Sequence, residues 1–246
     1  MNSTIETLRK SADSAELFEL NNESRAISFE NNKFKGVLEK TTAGSAVRIV
    51  KDGKIGAATS TKVADDRLLE KALKTVPFGQ KIEYRFAEQA ESAEIDNYDK
   101  SLFEIDIQEF VNKGNAAIEE LKSVKNDALG AVSFRLQRTT KKITNTSGLF
   151  KEAKSTGFAA IVYIVFNEEG NSLKIYDYYE SYKFKDDLQS IVGRVKYLFD
   201  IAQKNVEIQS AKYPVILSPR AARELLNVFI AGANGNNLEK GITPLK

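Results

Sequence analysis

The 246-residue chain predicts an α+β protein in which antiparallel sheets carry packed helices, with two similar helix-and-strand halves. Three observations predict it. Apolar residues return at helical spacing in several separate stretches, and apolar runs bounded by turn residues fill the intervals between them. That order occurs twice within residues 1–210, roughly Ser3 to Val76 and Asp106 to Gln203, which are read as one N-terminal domain. Residues 211–246 are read as the first strand and helix of a second, truncated domain.

Ser3 followed by Glu6 fits a capping box, and Ile5, Leu8 and Ala12 continue at helical spacing, so a short helix opens the chain and stops near Asp13. From Ala15 to about Ser60, turn clusters at Asn21-Asn22, Asn31-Asn32 and Asp52-Gly53 predict a meander of about four or five strands. The sharpest local signal is Ser45 to Lys51, turning through Asp52-Gly53 into Lys54 to Ala58, because Asp-Gly accepts the positive φ angles of a two-residue hairpin turn. Leu68, Leu69, Ala72, Leu73 and Val76 then mark a helix that closes the first half before Pro77. Phe78 to Ser101 has few aliphatic residues, so Glu88, Glu91, Glu94 and Asp96 are read as the solvated charges of a connecting segment.

The second half begins with Ile107, Phe110, Val111, Gly114, Ile118 and Leu121 on one face of a helix about four turns long. Val132, Phe134 and Leu136 alternate with polar residues, and Asn145-Thr146-Ser147-Gly148 makes a turn. Phe158 to Phe166 is almost wholly apolar, which predicts a central strand covered on both faces. After a turn at Asn167 to Asn171, the run from Leu173 to Tyr182 places Tyr176, Tyr178 and Tyr182 on one side. Leu188, Ile191, Val192, Val195, Leu198, Phe199 and Ala202 then form the clearest amphipathic helix. Beyond residue 210, Tyr213 to Leu217 reads as a short strand, Ser218 as an N-cap before Pro219, and Ala222, Leu225, Leu226 and Phe229 as a buried stripe.

Composition removes several chemistries. With neither Cys nor His in the sequence, disulfides, thiolate metal sites, cysteine nucleophiles and His-based triads are all excluded. A site built from carboxylates alone suits calcium or magnesium, and no suitably spaced Asp/Asn/Glu loop occurs. The net charge of +2 gives no whole-molecule field for nucleic acid or anionic lipid. Arg135, Arg138, Lys141 and Lys142 are candidate phosphate contacts, weighed against a solvated strand face, which the balanced charge favours. The sequence has neither a membrane-length apolar run nor an export signal, and the expected location is the cytoplasm.

Three blocks carry a family resemblance. Ala43 to Gly56, with its apolar-Arg-apolar centre and Asp-Gly turn, is one; Asn145-Thr146-Ser147-Gly148 is another. The third is Tyr213-Pro214-Val215-Ile216-Leu217-Ser218-Pro219-Arg220-Ala221-Ala222 followed by Leu225-Leu226. In order and spacing these resemble the N-terminal half of TldD/PmbA proteins, also called modulators of DNA gyrase, and the third block is closer to the PmbA side. TldD-type members carry His-Glu-x-x-x-His on the helix where this chain has Ala221-Ala222-Arg223-Glu224-Leu225-Leu226, so only Glu224 of the zinc-binding pattern remains.

The resemblance implies a PmbA-like, non-catalytic subunit of a metallopeptidase complex that processes or degrades unstructured peptides, with no cofactor here and zinc only in a TldD-like partner. The implied assembly is a dimer with that partner or with a second copy. Tyr176, Tyr178 and Tyr182 are candidate contacts to peptide or partner beside a strand edge, as is Arg220 at the helix start. Two alternatives stay open: a piece of an active zinc peptidase whose ligands lie beyond these residues, or a stand-alone binding, scaffold or gyrase-modulating module.

Overall fold

Asn31 and Asn32 take φ values of 51° and 62°, and Asp52 and Gly53 take 52° and 68°. Turns of that kind reverse the chain in two residues, so long strands fold directly back on one another. The computed structural model describes residues 3–63, 65, 67–83, 85–168, 171–204 and 206–243. Its elements in order are α1 (Ser3–Ser11), β1 (Ser14–Glu30), β2 (Lys33–Lys51), β3 (Lys54–Ser60), α2 (Leu68–Thr75), α3 (Ile107–Lys122), β4 (Leu129–Asn145), β5 (Phe150–Glu168), β6 (Asn171–Ser181), α4 (Leu188–Ala202), α5 (Pro219–Gly232) and α6 (Gly235–Glu239). Single 3-10 turns at Val76–Phe78 and Lys100–Phe103 flank the connecting segment.

The first meander has three strands where the turn clusters predicted four or five. Asn21 and Asn22 are not a turn. They continue β1, pairing with Ala43 and Thr42 on one side and with Thr140 and Thr139 on the other. Two ladders satisfy the backbone there, which outweighs the turn preference of asparagine. The capping box at Ser3 and part of the turn at Asn167 to Asn171 fall outside the described side chains and residues.

The strands form one antiparallel sheet in the order β3-β2-β1-β4-β5-β6. Each half is therefore a helix, a three-stranded meander and a closing helix, and the halves join where β1 pairs with β4. Side chains directly across from one another share a face. Leu17 lies across from Val47, Ile27 from Phe134, and Phe134 from Ala160, so one face carries both apolar cores. The larger core packs Phe110, Ile118 and Leu121 of α3 and Ile191, Val195 and Phe199 of α4 on Phe29, Phe134, Val162 and Ile164. The smaller packs Leu8 of α1 and Leu68 and Ala72 of α2 on Leu17, Val47 and Ile49. Each large apolar side chain so buried contributes about 1.5–3 kcal/mol.

Gly114 shows how close the fit is. A Cβ there would stand 2.1 Å from the Phe29 ring. The helix tolerates glycine, at roughly 1 kcal/mol, because a phenylalanine of the first half fills the notch.

β5 differs from expectation on one point. Its even residues from Phe158 to Phe166 are buried under the helices, whereas Ile161, Tyr163 and Val165 are only half-buried on the face away from them. The strand is interior to the sheet but has a layer on one side, so its apolar composition came from half-exposed aromatic and branched residues as well as from core.

Residues 205–246 form a separate compact unit from residues 1–204; the sequence reading set its boundary at Ser210. Within this unit Ser218 caps α5, its hydroxyl accepting from the Ala221 N–H at 3.3 Å, with Pro219 at the first helical position. Two expectations are corrected here. Tyr213 to Leu217 forms no strand, and Leu225, Leu226 and Phe229 are exposed, because a unit with one long and one short helix offers no second layer to cover an apolar stripe.

Candidate functional site: a trough on the open sheet face

The face opposite the helices is polar in its middle. Asn22 of β1 reaches across to β4, where its Oδ1 accepts from Gln137 Nε2 at 2.7 Å and from Thr139 Oγ1 at 2.8 Å. Beside this network β5 presents Ser155, Gly157 and Ala159, which lie across from Thr139, Gln137 and Arg135. Beyond β5 stand Glu180 at the end of β6 and Tyr182 just past it. Small residues between taller rows leave a trough of about 850 Å3, lined also by Lys141, Leu20 and Thr42.

The connecting segment crosses to this face. The Arg48 guanidinium stacks over Phe86, with 5.6 Å to the ring centroid, and also bonds to the buried Glu16 carboxylate. Asn145 is buried and donates from Nδ2 to the Ala87 carbonyl at 2.7 Å. The segment then runs beside the early part of β5, where Phe150 N–H donates to Gln89 Oε1 at 3.0 Å and Thr156 N–H to the Asn97 carbonyl at 2.9 Å. Its acidic residues are surface charges, and Asp96 pairs with Lys183 at 2.6 Å. Asp99 caps the following 3-10 turn, and the Ser101 hydroxyl, with help from the Phe184 and Ser101 N–H groups, holds its carboxyl below the usual value.

The basic group predicted on β4 divides between the faces, as alternation requires. Arg138 turns to the helix side and pairs with Glu23 at 2.5 Å, which raises its pKa and seats it 4.8 Å from the centroid of Phe103. Lys142 pairs with Glu152 at 3.1 Å. Arg135 and Lys141 are exposed on the trough side, and among the described residues neither has an ion-pair partner.

Tyr176 and Tyr178 lie across from Tyr163 and Ile161, on the open face. Tyr182 shares that side and alone of the three lines the trough, 59% exposed. Tyr179 points the other way, onto the helical core. Arg220 belongs to the 205–246 unit, in the first turn of α5. Sequence reasoning had singled out Tyr182 but passed over Asn22, Gln137 and Gly157; the polar alternation of Arg135, Gln137, Thr139 and Lys141 was the available signal.

The sequence offers a zinc ion carboxylates alone. No imidazole or thiol exists in the sequence. Glu224 is 63% exposed and engaged by Arg223 at 3.0 Å and Asn227 at 3.2 Å, which lowers its pKa, Arg223 contributing most. Among the described residues no three carboxylates converge as a metal cage.

Residues 15–76 match the family described as PmbA/TldA metallopeptidase domain 1. An uncharacterized protein of Methanocaldococcus jannaschii, MJ0231, is 24% identical over 217 residues, covering 82% of this chain and 47% of that protein. TldE from Thermococcus kodakarensis superposes with a TM-score of 0.83 at 18% identity, over 98% of this chain and 57% of its own. A Thermotoga maritima protein described as a candidate modulator of a DNA gyrase gives 0.84 at 21% identity, with the same two coverages of 98% and 57%. The chain thus spans about half the length of the proteins it matches.

Proposed function

We propose that the chain is a non-catalytic, PmbA-like part of a TldD/PmbA-type metallopeptidase assembly that processes or degrades unstructured peptides; the match of residues 15–76 to the first domain of that family supports this reading. The observation that carries this reading is the inventory of side chains. A hydrolytic zinc site needs ligands of the imidazole, thiolate or carboxylate kind held together, and this sequence supplies neither of the first two. The position where TldD-type members would carry their motif holds Arg223-Glu224, an exposed ion pair.

In this reading zinc belongs to a TldD-like partner, and the chain's contribution is to enclose and hold substrate. The open sheet face, with Tyr176, Tyr178 and Tyr182, is its contact surface for peptide or partner, and Arg220 is a further contact from the second unit. Among the described residues no helix is long and apolar enough to cross a membrane, and the proposed setting is the cytoplasm. Direct contact with DNA finds less support in the basic group of β4, since two of its four cations, Arg138 and Lys142, are engaged by Glu23 and Glu152.

The test is to purify the chain alone and together with a metal-bearing family member, then to follow cleavage of an unstructured peptide. The chain alone should cleave nothing, and the mixture should cleave in a chelator-sensitive way and elute as one complex. Chelator-sensitive cleavage by the chain alone would overturn the assignment.

A further inference from the structure

We infer that the trough on the open face is a binding slot for an extended, acidic peptide segment; this rests on the peptide-handling role and gives it a place. Its dimensions come first. At its Arg135 end, β4 and β6 stand two strand spacings apart, about 10 Å, with Ala159 of β5 between them; β6 ends at Ser181, across from Phe158, and the slot is open on that side toward Lys141. That gap takes one extended chain. Along the slot, Arg135 and Lys141 stand about 20 Å apart at roughly 3.3 Å per residue, a span that a peptide of about six residues reaches and a compact metabolite does not.

The floor and walls suit a main chain. Gly157 has room above it, since a Cβ there would meet only the Gln137 Cβ, at 3.9 Å. A backbone can therefore lie close to the sheet. Gln137 on one wall offers a side-chain amide to peptide groups, and its orientation is held by the Asn22 bond. Tyr182 on the other wall offers an exposed ring for an apolar side chain.

Charge selects the occupant. Arg135 and Lys141, both without ion-pair partners among the described residues, oppose the single carboxylate of Glu180 in the lining. A peptide bearing Asp or Glu at intervals would give those two cations partners, whereas a basic one would meet repulsion at both ends.

The experiment uses the full 246-residue chain and fluorescein-labelled unstructured peptides of equal length, rich in Gly and Ser and carrying Glu, no charge, or Lys. Fluorescence anisotropy should rank them Glu, neutral, Lys. The double variant Arg135→Glu/Lys141→Glu should weaken the Glu peptide by at least about tenfold and reverse the ranking. Gly157→Leu should weaken all three alike, with circular dichroism unchanged. The reversed ranking keeps the test informative, because a merely misfolded variant gains no affinity for the Lys peptide. Equal binding by wild type and both variants places peptide elsewhere and sinks this slot while leaving the cleavage assay of the complex to decide the broader reading. Failure of every peptide to bind overturns the slot as well.

Discussion

The two halves of residues 1–204 share an order of elements and differ in what fills them. The first hairpin turn of each half holds the start of the other half's first strand. Asn32 N–H donates to the Gly130 carbonyl at 2.9 Å while its Oδ1 accepts from Gly130 N–H at 2.7 Å; Thr146 N–H donates to the Ala15 carbonyl at 2.9 Å while its Oγ1 accepts from Ala15 N–H, also at 2.9 Å. The cores do not follow this symmetry. The second half gathers Phe110, Phe134, Phe158 and Phe199 and takes Phe29 from the first, whose own core is aliphatic, built from Leu8, Leu17, Val47, Ile49 and Leu68. The repeat is thus one of strand pairing. The aromatic rings meet in the second half's core, to which the first half lends Ile27 and Phe29 without receiving a side chain in return.

Phe110→Ala should break the comparison most severely. Phe110 is fully buried with ring centroids 5.3 Å from Phe134 and 5.7 Å from Phe184, and its loss should cost about 3–5 kcal/mol in urea unfolding. A loss under about 1 kcal/mol would mean the aromatic core is not the stable one. Next come the turns. Asn145→Ala strands the Ser147 and Leu149 N–H groups and the Ala87 carbonyl, now bonded at 2.9, 3.1 and 2.7 Å, and should cost about 1–3 kcal/mol. Asn32→Ala, at a less buried turn, should cost less, and the double variant should be additive within about 0.5 kcal/mol; a larger coupling would show that the turns form one cooperative unit.

The smallest effect is confined to the first half. Hydrogen bonds from Ser60 first, then from the Arg67 N–H and Lys71, hold the Asp65 carboxyl at about 2. A carboxyl depressed in the folded state stabilises above its unfolded value, near 4, and loses that contribution as pH falls through about 2. Amide exchange should therefore speed up at the start of α2 between those two pH values while α4 stays protected. Equal loosening of both helices would assign the change to global acid unfolding instead.

Much of this architecture was legible in the residues. Asp52-Gly53 marked its hairpin because its turn geometry is a local matter, and the stripes of α3 and α4 reported their buried faces through a 3.6-residue period. Asn21-Asn22 misled because two flanking strands, both distant in sequence, supply the hydrogen bonds that a turn would otherwise have made. The trough was half visible: the period of two on β4 is enough to part Arg135 and Lys141 from Arg138, although the sequence reading takes the four cations as one group, and nothing local tells that Gly157 and Tyr182 stand beside Gln137.

By itself the sequence determined the amphipathic helices α3 and α4, the Asp52-Gly53 turn and the absence of any imidazole or thiol, since each depends on neighbouring residues or on inventory alone. Only the tertiary structure decided which strand lies beside which, which sheet face stays open, and where the connecting segment crosses it. A strand's alternation distinguishes two faces but names no partner; register across strands far apart in the chain does that, and it is set by packing against the helices.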